Sequence, residues 1–186
     1  MSNANSTLRP YWKFIRTACV VSLGAGSLAS TAIASEGDEP LSAIGIERGL
    51  ELYERDASDP CVPGTQQIRV IVNNVQAEGI LKLELFGEKD FMKSSGKLRR
   101  IRVPADNGPM IVCIDVPEAG DYAVVGYHDR DGDRKLDKKW NFKPKEPYGL
   151  SNNPEIKSLR LPKWEETRFA VPATGWDIVI NLVDLD

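Results

Sequence analysis

Four aspartates within nine residues make the chain's densest group of potential metal ligands. In the run His128-Asp129-Arg130-Asp131-Gly132-Asp133-Arg134-Lys135-Leu136-Asp137, the residues Asp129, Asp131, Asp133 and Asp137 fall at positions 1, 3, 5 and 9 of a calcium-loop template. Lys135 stands at position 7, where the backbone carbonyl is the ligand. The spacing matters because Ca²⁺ takes six to eight hard oxygens, and alternate residues of a tight loop converge on one point. Leu136 would anchor such a loop to a core. Two positions depart from the template: Arg134 occupies position 6, normally Gly, and Trp140 occupies position 12, normally a bidentate Glu. Arg134, Lys135, Lys138 and Lys139 also partly neutralise the carboxylates. The expectation is therefore a weak Ca²⁺ site of extracellular type, in the millimolar to sub-millimolar range. The plainer alternative is a solvated acidic turn capping a hairpin, since Asp and Gly are ordinary turn formers.

Other chemistries find little support. The chain has one histidine, His128, so neither a His-x-x-x-His pair nor a three-His zinc site can be assembled. No Gly-x-Ser-x-Gly elbow, phosphate-cradling glycine motif or Cys-x-x-Cys is present. His128 reads as a strand-end residue hydrogen-bonded to the acidic loop, and no catalytic residue is assigned. A pair of carboxylates for glycoside hydrolysis stays open, because their separation is spatial rather than sequential. Trp140, Tyr148, Asn152, Asn153 and Trp164 follow the acidic run and form a second set of binding-loop candidates. Ser151, Asn152 and Asn153 also suit side-chain-to-backbone bonds that hold a turn. Arg134, Lys135, Lys138, Lys139, Lys143 and Lys145, interleaved with Trp140 and Phe142, read first as a solvated charged face.

The elements that position these residues are strands. Ile68, Val70 and Val72 share one face, as do Leu81, Leu83 and Leu85; Ile101 and Val103; and Met110, Val112, Ile114 and Val116. Tyr122 to Tyr127 is apolar on both faces, as a central strand would be, and Phe169 with Val171 and Ile178, Ile180 and Leu182 complete the set. Period-two patterning between Gly- and Pro-rich turns predicts about seven short strands in a single all-β sandwich. The stretch from Asp129 to Glu166 keeps no regular period and reads as one long ordered loop insert, its aromatics arguing against plain disorder.

Residues 1–34 carry Arg9, Lys13 and Arg16 without a single acid, then a short small-residue apolar stretch ending in Ala32-Ile33-Ala34. This is the pattern of a secretory signal peptide, with no transmembrane anchor left after cleavage. Residues 35–60 read as an N-terminal tether, with a short helix within Leu41 to Glu54, and 61–186 as the sandwich domain. The leader holds three of the 24 Lys and Arg; the remaining 21 against 27 Asp and Glu give a net charge of −6. Such an acidic domain is no electrostatic nucleic-acid binder. Two cysteines remain, Cys61 and Cys113, and in an oxidising compartment they pair. Closing a loop of roughly 50 residues stabilises a fold by about 4 kcal/mol in the chain-entropy account.

Pro117-Glu118-Ala119-Gly120-Asp121-Tyr122-Ala123-Val124, His128-Asp129 with the acidic loop, Lys135-Leu136-Asp137, and Pro144-Lys145-Glu146-Pro147-Tyr148-Gly149-Leu150-Ser151-Asn152-Asn153 together form a recognisable set. From about Cys61 to the C-terminus the chain resembles the exported bacterial family catalogued as domain of unknown function 2141. Members of that family often carry Asn where this chain has Asp131 and Asp133, and Gly where it has Arg134. The resemblance implies an antiparallel immunoglobulin- or transthyretin-like sandwich and a periplasmic or secreted location, and no established activity. The functional expectation is a non-catalytic binding or structural module of the cell envelope. Its partner would be an envelope component or small ligand, and Ca²⁺ at the acidic loop its only cofactor. The alternative is a hydrolase acting on an envelope glycan or small metabolite through loop carboxylates.

Overall fold

The computed structural model describes residues 40–138, 140, 144–155 and 161–184; the leader at 1–34 and the start of the tether lie outside them. The predicted rows become strands β1 (Gln67–Val75), β2 (Ile80–Phe86), β3 (Lys97–Pro104), β4 (Gly108–Asp115), β5 (Gly120–Asp129), β7 (Phe169–Val171) and β8 (Trp176–Asn181). An eighth, β6 (Tyr148–Leu150), forms within the insert. Among the described residues there are also two short α-helices, α1 (Leu41–Arg48) and α2 (Trp164–Thr167), and 3-10 turns at Glu54–Asp56 and Ser94–Gly96. Among the described residues, no helix is long and apolar enough to cross a membrane.

The strands make two sheets, ordered β4-β1-β8 and β3-β2-β5-β6, with β7 pairing to the start of β5. The alternating apolar rows meet between them. Ile68, Val70 and Val72 of β1, Val112 and Ile114 of β4 and Ile178 and Ile180 of β8 share one core with Leu81, Leu83 and Leu85 of β2, Ile101 of β3 and Tyr122 and Val124 of β5. The all-β sandwich is thus what period-two burial dictates.

One pairing departs from the antiparallel expectation: β8 runs parallel to β1. The cause is topological. β7 is bonded to β5 in the opposite sheet, and the turn after it carries the chain across, so β8 enters alongside β1 in the same direction. Gly175, at φ +80°, makes that turn possible; a Cβ there would lie 2.4 Å from the Thr65 carbonyl oxygen.

Residues 40–60, expected to be a tether that the Cys61 bridge pins to the domain, lie along it. Leu52 and Asp56 are buried, and Asp59 bridges to Cys113 in β4. Arg102 holds Asp56 at 2.7 Å, while Arg99 holds Asp59 at 2.9 Å and the carbonyls of Arg55 and Ala57. A polar composition is compatible with burial here because β3 supplies the guanidinium groups. Cys61 and Cys113 form the predicted disulfide, closing a separation of 52 residues.

Candidate metal centre

The acidic loop begins where β5 ends. Ile80 pairs with Asp129 in the β2–β5 register, which places Asp129 inside the sheet end, 1% exposed. Gly79, at φ +65°, turns the chain so tightly over this end that a Cβ would lie 2.0 Å from the Asp129 carbonyl oxygen and 2.6 Å from that of Arg130. Gly79→Ala is therefore expected to cost about 3 kcal/mol or more in chemical denaturation, through backbone strain and overlap combined.

From Asp129 the chain coils into three successive side-chain-to-backbone turns. The Asp129 Oδ2 accepts the Arg134 N–H at 2.7 Å, Asp131 accepts the Asp133 N–H at 3.2 Å, and Asp133 accepts the Lys135 N–H at 2.7 Å. Gly132 and Arg134 both adopt φ +70°. Arg134 thus supplies the left-handed conformation that the template gives to Gly. The result gathers one carboxylate oxygen from each of Asp129, Asp131 and Asp133 within 4.8 Å of one another. Asp129 Oδ1 is buried and has no hydrogen-bond partner. Asp131 and Asp133 are exposed and open the cluster to solvent.

The neighbouring cations largely turn elsewhere. Arg134 pairs with Glu51 at 2.9 Å, Arg130 with Asp184 at 3.2 Å, and Lys145 with Asp137 at 3.1 Å. Lys135 reaches toward the cluster, 3.8 Å from Asp133 and largely exposed. Asp137, expected at position 9, is not gathered with the other three: its carboxylate faces Lys145.

Glu146 escaped the sequence reading, for it lies beyond the twelve-residue template. A bridge between Lys138 and Pro144 folds the chain back and returns it to the loop. There its two oxygens accept the N–H groups of Arg130 at 3.0 Å and Asp137 at 3.2 Å, tying the two arms of the loop together. The recognisable signal was an acid between Pro144 and Pro147, beside residues that already mark the insert.

Burial, with Asp131 adding its charge, raises the Asp129 carboxyl above its ordinary value despite the Arg134 N–H it accepts. Glu146 rises to about 7, chiefly through burial and further through the charges of Asp129 and Asp131. A carboxyl whose pKa is higher folded than unfolded binds its proton more tightly in the native state. Both groups therefore subtract stability as pH rises, Glu146 from about 4.5 to about 7. In chelator the melting temperature is expected to fall across that window, and Glu146→Gln to flatten the decline. A melting series in EDTA checks both.

His128 is fully buried and bonds through Nε2 to the Glu78 carbonyl at 2.7 Å, so it anchors the β1–β2 turn rather than the acidic loop. A carbonyl can only accept, which puts the proton on Nε2. The binding-loop candidates differ in their surroundings. Trp140, at the template's last position, is 94% exposed. Trp164 packs edge-on against Phe91, and Tyr148 bridges to Val183. Asn152 and Asn153 take positive φ and bond the carbonyls of Arg168 and Val179. Lys139, Phe142 and Lys143 lie outside the described residues. A cavity of about 370 Å³ is lined by Arg48, Leu50, Ala77, Glu78, Gly79 and Asp106, and not by the three clustered aspartates.

A family model described as an uncharacterized protein conserved in bacteria, domain of unknown function 2141, matches residues 70–178, from β1 into β8. No curated protein and no solved structure matches the chain.

Proposed function

As a chain that belongs to the bacterial family of domain of unknown function 2141, this protein is, we propose, an exported, non-catalytic β-sandwich of the cell envelope whose acidic loop binds Ca²⁺. The observation that carries the metal is Asp129. Its Oδ1 is buried without a partner and shares a 4.8 Å cluster with oxygens of Asp131 and Asp133. Burying a carboxylate oxygen without a donor is costly, and a cation removes that cost. The donors are all hard oxygens on a coiled loop with solvent on one side. That favours Ca²⁺, which accepts irregular coordination completed by water and carbonyls, over the softer or stricter metals. Carboxylates gathered on a point also suit a cation better than a hydrolase, which needs two facing each other across a substrate.

Export rests on the basic, acid-free leader and on the Cys61–Cys113 bridge, which belongs to an oxidising compartment. The domain would then display its insert toward an envelope component or small ligand, with Ca²⁺ stiffening the base of the loop.

The test is calorimetric titration of EDTA-treated protein with Ca²⁺, followed by thermal melting. Heat of binding is expected, with a stabilisation of about 2.7 kcal/mol once Ca²⁺ reaches a hundredfold excess over Kd. The absence of both heat and a melting shift at millimolar Ca²⁺ would remove the metal from this account.

A further inference from the structure

Two residues of the acidic loop that carry no ligating side chain face outward, and both meet the N-terminal segment. Gly132 lies under Leu50 so closely that a Cβ on it would stand 2.7 Å from Leu50 Cδ2. Arg134 pairs with Glu51 at 2.9 Å and lies 4.8 Å over the ring of Tyr53, whose other neighbour is the Arg55 guanidinium at 4.4 Å. The Tyr53 hydroxyl donates to Glu51, closing a small network around the Arg134 side chain. Gly132 and Arg134 alternate with Asp131 and Asp133, and both are held at φ +70° by the coil that gathers the carboxylates. One backbone conformation therefore serves two purposes: it gathers the aspartates on a point and presents Gly132 and Arg134 to Leu50, Glu51 and Tyr53.

The two ends of the N-terminal segment are secured differently. Residues 55–61 are held by Arg99, Arg102 and the disulfide. Toward the helix, Arg48 reaches the Ala105 carbonyl at 3.1 Å and Leu52 is buried, while Leu50, Glu51 and Tyr53 meet the loop. We infer that cation binding at Asp129, Asp131 and Asp133 and docking of residues 41–53 are coupled, so that Ca²⁺ latches the N-terminal strap to the domain. The inference rests on the calcium reading and adds its consequence. Without a cation the three carboxylates repel one another, the coil loosens, and the surface that receives the strap is lost. Linkage makes the effect reciprocal: a strap that docks on the coiled loop must strengthen cation binding by the same factor.

Hydrogen exchange of the full chain, in EDTA and in 5 mM Ca²⁺, combined with Ca²⁺ titration of strap variants, tests the coupling. Tyr53→Ala and Leu50→Ala change no charge and remove no carboxylate, and Leu50→Ala also leaves the Arg134–Glu51–Tyr53 network in place, so its effect on the site is not electrostatic. Ca²⁺ is expected to slow exchange across residues 41–53 at least about 5-fold. Each variant is expected to weaken Ca²⁺ binding by about the same factor, while Tyr53→Phe, which keeps the ring over Arg134, retains near-native affinity. If the native protein binds Ca²⁺ but exchange in 41–53 is unchanged and Tyr53→Ala binds as tightly, the latch is wrong and the calcium site stands. If the native protein takes up no Ca²⁺, the calcium reading fails, and the latch with it.

Discussion

Asp129→Asn is expected to lower Ca²⁺ affinity by about 100-fold or more while raising the melting temperature of the metal-free protein. The two effects have one cause. Asp129 is buried at the end of β5, with Oδ2 on the Arg134 N–H and Oδ1 unpartnered. In chelator its charge is a burden, shown by a carboxyl that burial pushes upward. Asparagine keeps the shape and an acceptor for Arg134 and discards the charge, so the metal-free fold gains. With Ca²⁺ the order reverses, because the native protein collects the binding free energy and the variant does not. Scanning calorimetry of both proteins, each in EDTA and in 5 mM Ca²⁺, should give stability curves that cross. An ordinary structural aspartate would give a variant less stable in both conditions, through the weakened bond to Arg134.

Replacing Cys61 and Cys113 together by Ser should cost about 4 kcal/mol, and about 10 °C in melting temperature for a domain of this size. Cys113 faces away from the core in β4, beneath residues 58–61, and is fully buried. Asp59 still donates its N–H to the Cys113 carbonyl, Ser58 still reaches the same strand, and Arg99 still holds Asp59. The native contacts of the strap thus survive the substitution. The loss arises mostly in the unfolded chain, where the bridge had closed a separation of 52 residues. Denaturant unfolding of the oxidised, the reduced and the double-Ser proteins checks it: the last two should coincide, well below the first.

Much of the fold could be read from alternation, because inward faces such as Ile68, Val70 and Val72 or Leu81, Leu83 and Leu85 are set by a period of two. Alternation is silent on strand direction, so the parallel entry of β8 beside β1 could not be read from it. It is equally silent on β6, three residues long and paired with β5 on one side and with Val183 on the other. The tether reading followed from polar composition, whereas Asp56 and Asp59 are drawn onto the domain by arginines some 40 residues away in sequence.

At the site, the short-range pattern carried over for Asp129, Asp131 and Asp133, whose spacing of two produces the converging turns. It failed for Asp137, because the chain folds back at Lys138 and Lys145 becomes its neighbour. The same fold-back brings in Glu146, which no local template could contain. Arg134 counted against the loop as a non-glycine at position 6, yet it takes the left-handed conformation and uses its side chain to hold Glu51.

The most direct test of the metal centre is to locate the ion. Crystals grown in millimolar Ca²⁺ and measured at long wavelength should show an anomalous peak about 2.3–2.6 Å from Asp129 Oδ1 and from oxygens of Asp131 and Asp133. A clear map with no peak there, and with Asp129 Oδ1 bonded to a water or a protein donor instead, would contradict it.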